Sequence, residues 1–333
     1  MAGARVSAKE GIQVDLGGRR FLLDPSSPRK ADYVFVSHAH VDHMHNPSAG
    51  EKVICSGVTR ELALARGYDL GNTVEGAAGV ELLDSGHILG SRAILIEDEV
   101  YYTGDASGRE RAFLGKCKTR HAKTLIMEST YGSPEYEFPP TAQLVSEVND
   151  LIGDLYHRGK PVVLMGYPLG KAQLLSYFFS SWGPLYVHER VAAMNEVHTR
   201  HGVALKEGIR FSPERDADKL PPGPWTMIAP MTSNRNGPMS QIRKRCGAVT
   251  IAFSGWALNG SYSRSLGADA AFPLSDHCDY PELLKLAAQV SPEVVYTTHG
   301  FADELAEQLR LRGFTARTLG SDQSTLHEYE AGG

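Results

Sequence analysis

Ser37-His38-Ala39-His40-Val41-Asp42-His43 decides how the rest of this sequence is read. Three imidazoles and a carboxylate fall within six residues, straight after the apolar run Tyr33 to Val36 that predicts a buried strand. Packing alone does not account for such a cluster, because each buried imidazole needs a hydrogen-bond partner to offset its loss of water. A metal ion is such a partner. Imidazole nitrogen and carboxylate oxygen suit zinc, and side chains two apart in an extended segment point the same way. His38 and His40 are therefore expected to grip one ion, while Asp42 and His43, on the following turn, reach a second.

Working outward, two further donors stand at strand ends, where sites are commonly built. His87, in Ser85-Gly86-His87-Ile88-Leu89-Gly90-Ser91, can complete the imidazole set of the first ion. Asp105, in Tyr102-Thr103-Gly104-Asp105, follows a hairpin strand and can bridge both ions.

The surrounding pattern is α/β. Short apolar runs predict strands at Ala93 to Ile96, Val100 to Tyr102, Thr124 to Met127, Val162 to Met165, Val249 to Phe253 and Val294 to Tyr296. Helical spacing joins Leu144, Val148, Leu151, Ile152 and Leu155 behind a Thr141 cap, and Ala172, Leu175, Phe179 and Trp182. Asp279 with Glu282 is a capping box opening a helix, and Leu305 with Leu309 predicts a last helix that stops at Gly313. Pro134 to Pro140 and Pro221 to Pro224 read as linkers or surface loops.

Length and charge bound the rest. The 333 residues, 42% hydrophobic and 22% charged, exceed one typical domain. The absence of an apolar span or a leader-like N-terminus makes cytoplasmic residence the expectation. Cys55, Cys117, Cys246 and Cys278 are too far apart for a C-x-x-C thiolate site and read as free thiols. The net charge is −5, yet Lys219 to Ala268 contains no Asp or Glu and six bases: Lys219, Arg235, Arg243, Lys244, Arg245 and Arg264. That window carries +6 and the remainder −11, which points to a polyanionic partner.

Taken together, the motifs resemble the metallo-β-lactamase fold and, more narrowly, its β-CASP nuclease branch. Glu128 in Met127-Glu128-Ser129-Thr130-Tyr131-Gly132 matches that branch's carboxylate motif, His277 in Ser275-Asp276-His277-Cys278-Asp279 its histidine motif, and His299 in Thr298-His299-Gly300 its last motif. Asp24 in Leu23-Asp24-Pro25 matches an early aspartate that supports the zinc cluster from behind its ligands. With Gly166-Tyr167-Pro168-Leu169-Gly170-Lys171-Ala172-Gln173, the chain is most similar to the ligase-associated DNA exonuclease type, close to archaeal messenger-RNA 3′-end processing factors.

The resemblance implies an αββα sandwich formed by residues 1–133 and 274–333, with a Rossmann-like cap at 134–273. It implies two zinc ions, one held by His38, His40 and His87, the other by Asp42, His43 and His299, with Asp105 between them. Glu128 and His277, with Asp42, are the implied catalytic residues, His277 as the proton donor to the leaving oxygen. Lys171 and the bases Arg235, Arg243, Lys244, Arg245 and Arg264 are expected to meet a nucleic-acid backbone. The implied activity is exonuclease action on single-stranded DNA ends in repair, with a DNA ligase as possible partner and no membrane. An RNA nuclease with RNA-processing partners is the alternative, followed by a small ester or lactam hydrolase and by a metal-free binding subunit.

Overall fold

The computed structural model describes residues 3–8, 11–48, 50–231, 238–258 and 260–320. They divide into two compact units, one of residues 3–110, 114–137 and 277–320, the other of residues 111–113 and 138–276.

The first unit holds two six-stranded sheets. One runs Arg5–Ala8, Ile12–Leu16, Arg19–Leu23, Tyr33–Phe35, Val53–Ile54, Thr73–Val74, antiparallel across its first three strands and parallel after them. The other runs Ala316–Thr318, Val294–Thr298, Thr124–Glu128, Val100–Tyr102, Arg92–Ile96, Val80–Asp84, with its first four strands parallel. The alternation in Ile12-Gln13-Val14-Asp15-Leu16 buries every second side chain, as a strand with one apolar face must. Those residues, with Phe21, Leu23, Phe35 and Ile54, form one core with Ile94, Ile96, Val100, Tyr102 and Ile126 of the second sheet.

Thr124–Glu128 is buried along its whole length because both of its faces are covered. Ile126 faces the first sheet, while Leu125 and Met127 pack with the helices Tyr280–Val290 and Ala302–Leu311 through Leu283, Val290, Leu305 and Leu309. Truncating a fully buried leucine such as Leu305 to Ala costs about 2–5 kcal/mol.

The second unit is a six-stranded, all-parallel sheet in the order Ile209–Phe211, Leu185–His188, Thr226–Pro230, Val162–Gly166, Val249–Phe253, Ala270–Phe272. Counting its strands from the first, the order is 3-2-4-1-5-6. The dinucleotide-binding arrangement, 3-2-1-4-5-6, is therefore not reproduced. Thr141 is the first helical residue of Thr141–His157 rather than its cap, the cap position being Pro140. Trp182 lies beyond the helix Lys171–Phe179, its indole N–H donating to Asn149. The capping box of Asp279 and Glu282 is present. Among the described residues no helix is long and apolar enough to cross a membrane, and the four cysteines are free.

His198, fully buried on the helix Glu189–Arg200, has Nδ1 2.9 Å from the Met194 oxygen and, among the described residues, no hydrogen-bond partner for Nε2. Burial pushes its pKa down to about 4 against the Met194 hydrogen bond, so the folded protein holds it neutral. Its contribution is thus present above the ordinary imidazole pKa and lost as pH falls from 6.5 towards 4, by on the order of 2–3 kcal/mol. His198→Gln is expected to flatten the thermal midpoint against pH in that window; an unchanged slope in a scanned pH series counts against it.

Candidate metal centre

The site begins with the Asp24 carboxylate. Asp24 closes the strand Arg19–Leu23 with φ +44°, a left-handed conformation that costs a non-glycine residue about 1–3 kcal/mol. Its Oδ1 accepts from the Ser37 backbone N–H at 2.7 Å. Its Oδ2 is met by the Ser37 hydroxyl at 2.6 Å, the Tyr102 hydroxyl at 2.8 Å and His43 Nδ1 at 2.9 Å.

These bonds fix tautomers. The Ser37 proton goes to Asp24, so His38 Nδ1, 2.9 Å from Ser37 Oγ, must donate to it. His38 Nε2 then carries a lone pair. His43 likewise gives its Nδ1 proton to Asp24 and turns Nε2 towards Asp42 and Asp105, at 3.6 and 3.5 Å. The His38-to-His43 stretch is not an extended segment. It bends at His38 and Ala39 and enters a 3-10 turn over Val41–His43, so His38 and His40 converge through Nε2 and Nδ1 rather than side by side along a strand.

His40 Nδ1 lies 2.9 Å from His38 Nε2 and 3.1 Å from His87 Nε2. Asp105 Oδ2 stands 3.5 Å from His38 and 3.6 Å from His87. One donor atom from each of these four residues falls within 4.8 Å of every other. The groups fit a cation by their chemistry: a cation among three such nitrogens meets lone pairs and a carboxylate, whereas a proton can satisfy few of them. Burial, with the neighbouring imidazoles, holds His38 well below the ordinary imidazole range. Burial also pushes Asp105 up to about 7 against the pull of His43 and His277, the mark of a carboxylate short of positive charge. Gly104 lets Asp105 come this close, since a Cβ there would sit 2.6 Å from the Ser37 Cβ and the backbone has φ +54°.

The second set is looser. Asp42, its side chain 42% exposed, His43 and His299 do not reach that mutual spacing among the described residues, and the His43 and His299 rings lie 5.8 Å apart. His299 itself sits at φ +63°, held where Ser129 Oγ donates to the Thr298 and His299 oxygens at 2.8 and 2.5 Å. Gly300 must follow, because a Cβ there would lie 2.5 Å from the Thr130 Cα. Glu128, at the end of its strand, accepts from the Ala106 N–H at 2.6 Å and faces His277 Nδ1 at 2.9 Å, while that nitrogen is 4.0 Å from Asp105.

Residues that composition and motif reading passed over complete the support. Tyr102 and Ser37 hold Asp24, and Arg66 donates to the Ala39 oxygen at 3.1 Å. Tyr102 ends a buried strand, and its apolar surroundings hide the role of its hydroxyl in the sequence.

Three of the six expected backbone-binding bases have acidic partners in the structure. Lys171 is 1% exposed and spends its ammonium on Asp276 and the Leu274 oxygen, so it is not presented to a phosphate. Arg243 pairs with Asp269 and Arg245 with Asp218, acids that flank the acid-free window by a single position, and Lys219 pairs with Asp216. The window's charge is therefore largely answered from just outside it. Arg243 and Lys244 line a cavity of about 500 Å³ with Lys160, Gly247 and Asp269, at the N-terminal ends of the parallel strands, whereas Lys171 follows a C-terminal end. Lys244 and Arg264 are exposed, and Arg235 lies outside the described residues.

No family model matches the sequence. The chain is 36% identical over 315 residues to a probable DNA ligase of Opitutus terrae, a match spanning 90% of this chain and 30% of that protein. It is 21% identical over 366 residues to transcription termination factor FttA of a Lokiarchaeum species, spanning 87% of this chain and 58% of that one. It is 28% identical over 206 residues to an RNase J-like protein of Methanocaldococcus jannaschii, spanning 49% of each. The chain thus spans from about a third to just over half the length of these relatives. A crystal structure of a protein of unknown function from Enterococcus faecalis V583 superposes with a TM-score of 0.62 at 14% identity, over 97% of this chain and 99% of that one, which shows the fold alone. Fold and site together define a mixed α/β protein with a buried histidine–aspartate cluster that can hold a metal ion.

Replacing Asp24 by Asn turns an acceptor into a donor opposite His43 or Ser37 and frees the tautomers. Zinc affinity is expected to drop by about 10–100-fold, read by competition with a chromophoric chelator; unchanged affinity would separate Asp24 from the metal centre.

Proposed function

We propose that this chain is a dizinc nuclease of the β-CASP branch of the metallo-β-lactamase fold, acting as an exonuclease on single-stranded DNA ends. In this reading residues 1–133 and 274–333 hold the metals and residues 134–273 form the cap. The observation that carries it is the convergence of His38, His40, His87 and Asp105 beside the His277–Glu128 pair. His38, His40, His87 and Asp105 would hold one ion, and Asp42, His43 and His299, with Asp105 available to both, would hold the other. Bound there, zinc supplies hydroxide near neutral pH and neutralises charge building on the phosphate oxygens.

The chain's own residues supply the rest. A water that has already lost one proton to solvent joins its oxygen to phosphorus as the bond to the leaving oxygen breaks, and that leaving oxygen takes a proton from His277. Glu128 accepts the Nδ1 proton, so the proton that moves is on Nε2, and the carboxylate favours the charged imidazole. DNA is favoured because a 36% identical match lies within part of a protein named a probable DNA ligase, which also makes a ligase the proposed partner. An RNA substrate is the second reading, favoured by the RNase J-like and transcription termination relatives. End-labelled single-stranded DNA and RNA of one sequence, digested in parallel, decide between them: RNA cleaved faster by about tenfold or more replaces the DNA assignment, each tenfold being 1.4 kcal/mol of barrier. Lys244 and Arg264 remain proposed backbone contacts. A rate independent of salt on both polymers points instead to a small ester or lactam.

A strong chelator is expected to abolish hydrolysis, and Asp105→Ala to remove more zinc than His299→Ala by elemental analysis, because Asp105 serves both ions. Full activity in metal-stripped protein would sink the mechanism. His277→Ala should keep its metal and lose on the order of 10² or more in rate. That loss should shrink on a nitrophenyl phosphodiester, whose leaving group needs no proton.

A further inference from the structure

We propose that Arg109 is a positioning residue for His277, acting through Asp279. All the residues concerned belong to the first unit. Asp105, a member of the tight donor set, heads the segment that ends at Arg109. Next along it, the Ala106 N–H donates to Glu128 Oε1 at 2.6 Å, and the Ala106 oxygen accepts from the Cys278 N–H at 2.6 Å. One residue thus touches the carboxylate of the His277–Glu128 pair and the immediate neighbour of its imidazole. The Ser107 N–H donates to the Ser85 oxygen at 2.9 Å, two residues ahead of His87. Arg109 closes the segment: its Nε donates to Glu282 Oε1 at 2.7 Å, and its guanidinium also pairs with Asp279 Oδ2, two residues beyond His277.

Capping of the helix Tyr280–Val290 is a poor account of that guanidinium. The capping box is complete without it: Asp279 Oδ1 accepts from the Glu282 N–H at 3.0 Å, and Glu282 Oε2 from the Asp279 N–H at 3.2 Å. Arg109 takes the second oxygen of each carboxylate, and a cation at a helix N-terminus opposes the helix dipole. What it supplies is placement. Asp279 is 2% exposed, so the pair is shielded from water and holds the returning chain more firmly than a surface pair does. With Cys278 tied to Ala106 and Asp279 to Arg109, the His277 backbone is fixed to the same segment that carries Asp105 and holds Glu128. A slip of Asp279 of about 1 Å carries the imidazole off Glu128, and displacements of that size in reacting groups cost on the order of 10² in rate. The proposed proton donor therefore takes its position from the segment that presents Asp105 to the ion.

The inference rests on the proposed role of His277, and its test has one arm that does not. In ¹⁵N-labelled, zinc-loaded protein, the His277 Nδ1 shift is read through the ring's carbon-bound protons and identified by its absence in His277→Ala. The wild type is expected to show the shift of a protonated Nδ1, and Arg109→Met to move it towards the average of the two neutral tautomers; an unchanged shift overturns the proposal. In the kinetic arm, Arg109→Met should lose about tenfold or more in kcat on an oligonucleotide but less than about threefold on a nitrophenyl phosphodiester. Zinc content and KM should stay as in the wild type. Equal losses on both substrates, or a loss confined to KM, overturn it. A wild type inert towards both substrates removes the nuclease reading and leaves the shift to decide on Arg109. Asp279→Asn separates placement from capping, because asparagine caps a helix as well as aspartate does but turns an amide N–H towards the guanidinium. It is expected to repeat both effects with the helix intact, and it replaces Arg109→Met in both arms if that variant fails to fold. An Asp279→Asn protein indistinguishable from the wild type overturns the proposal.

Discussion

One carboxylate organises the candidate metal centre. Asp24 accepts four hydrogen bonds, from the Ser37 backbone and hydroxyl, the Tyr102 hydroxyl and His43, and these three residues come from two separate stretches of the first unit. Through Ser37 it fixes the proton of His38, and directly it fixes that of His43, so two lone pairs are aimed before any ion arrives. The positive φ of Asp24 is the cost of putting its side chain beneath the loop instead of continuing the strand. Ser37 is equally placed: its hydroxyl relays Asp24 to His38, and its Cβ lies where any side chain at position 104 would collide.

Much of this was legible in the sequence, for identifiable reasons. The run from His38 to His43 is too rich in polar rings to be packing, and His87 and Asp105 follow turns at strand ends. All four members of the tight donor set were therefore named from residue type and position. Buried strands were readable because a strand covered on both faces, such as Thr124–Glu128, carries successive apolar residues, here Leu125, Ile126 and Met127. The path of the His38-to-His43 loop was not readable, because two histidines separated by one residue converge either along a strand or around a bend, and the alternation is the same in both. Tyr102 escaped notice because a phenol in an apolar run reads as core, which most of its ring is.

Charge read by windows misses partners for a different reason. The stretch from Lys219 to Ala268 is acid-free in sequence, yet folding pairs Arg243 with Asp269 and Arg245 with Asp218, each acid one position beyond the stretch. Charge counted along a chain ignores partners that strand order brings alongside. Lys171 is the extreme case: a lysine after glycine at a helix start has the outward marks of an anion contact, and the structure gives its charge to Asp276. A sequence has no means of stating that residue 171 will meet residue 276.

The pairing of Thr124–Glu128 with Val294–Thr298 has a further consequence during synthesis. The second unit lies between those strands in the chain, so until it has left the ribosome the first unit's second sheet ends at Thr124–Glu128, whose partner strand and the strand beyond it are still to come. His277 and His299 emerge after it, one at the start of the returning segment and one at the end of its strand. A nascent or truncated chain can already carry His38, His40, His87 and Asp105 in order, and so trap an ion, while it still lacks the partner of Glu128. Under the proposed function, ion capture would thereby precede reactivity, a half-made copy carrying the donor set without the His277–Glu128 pair.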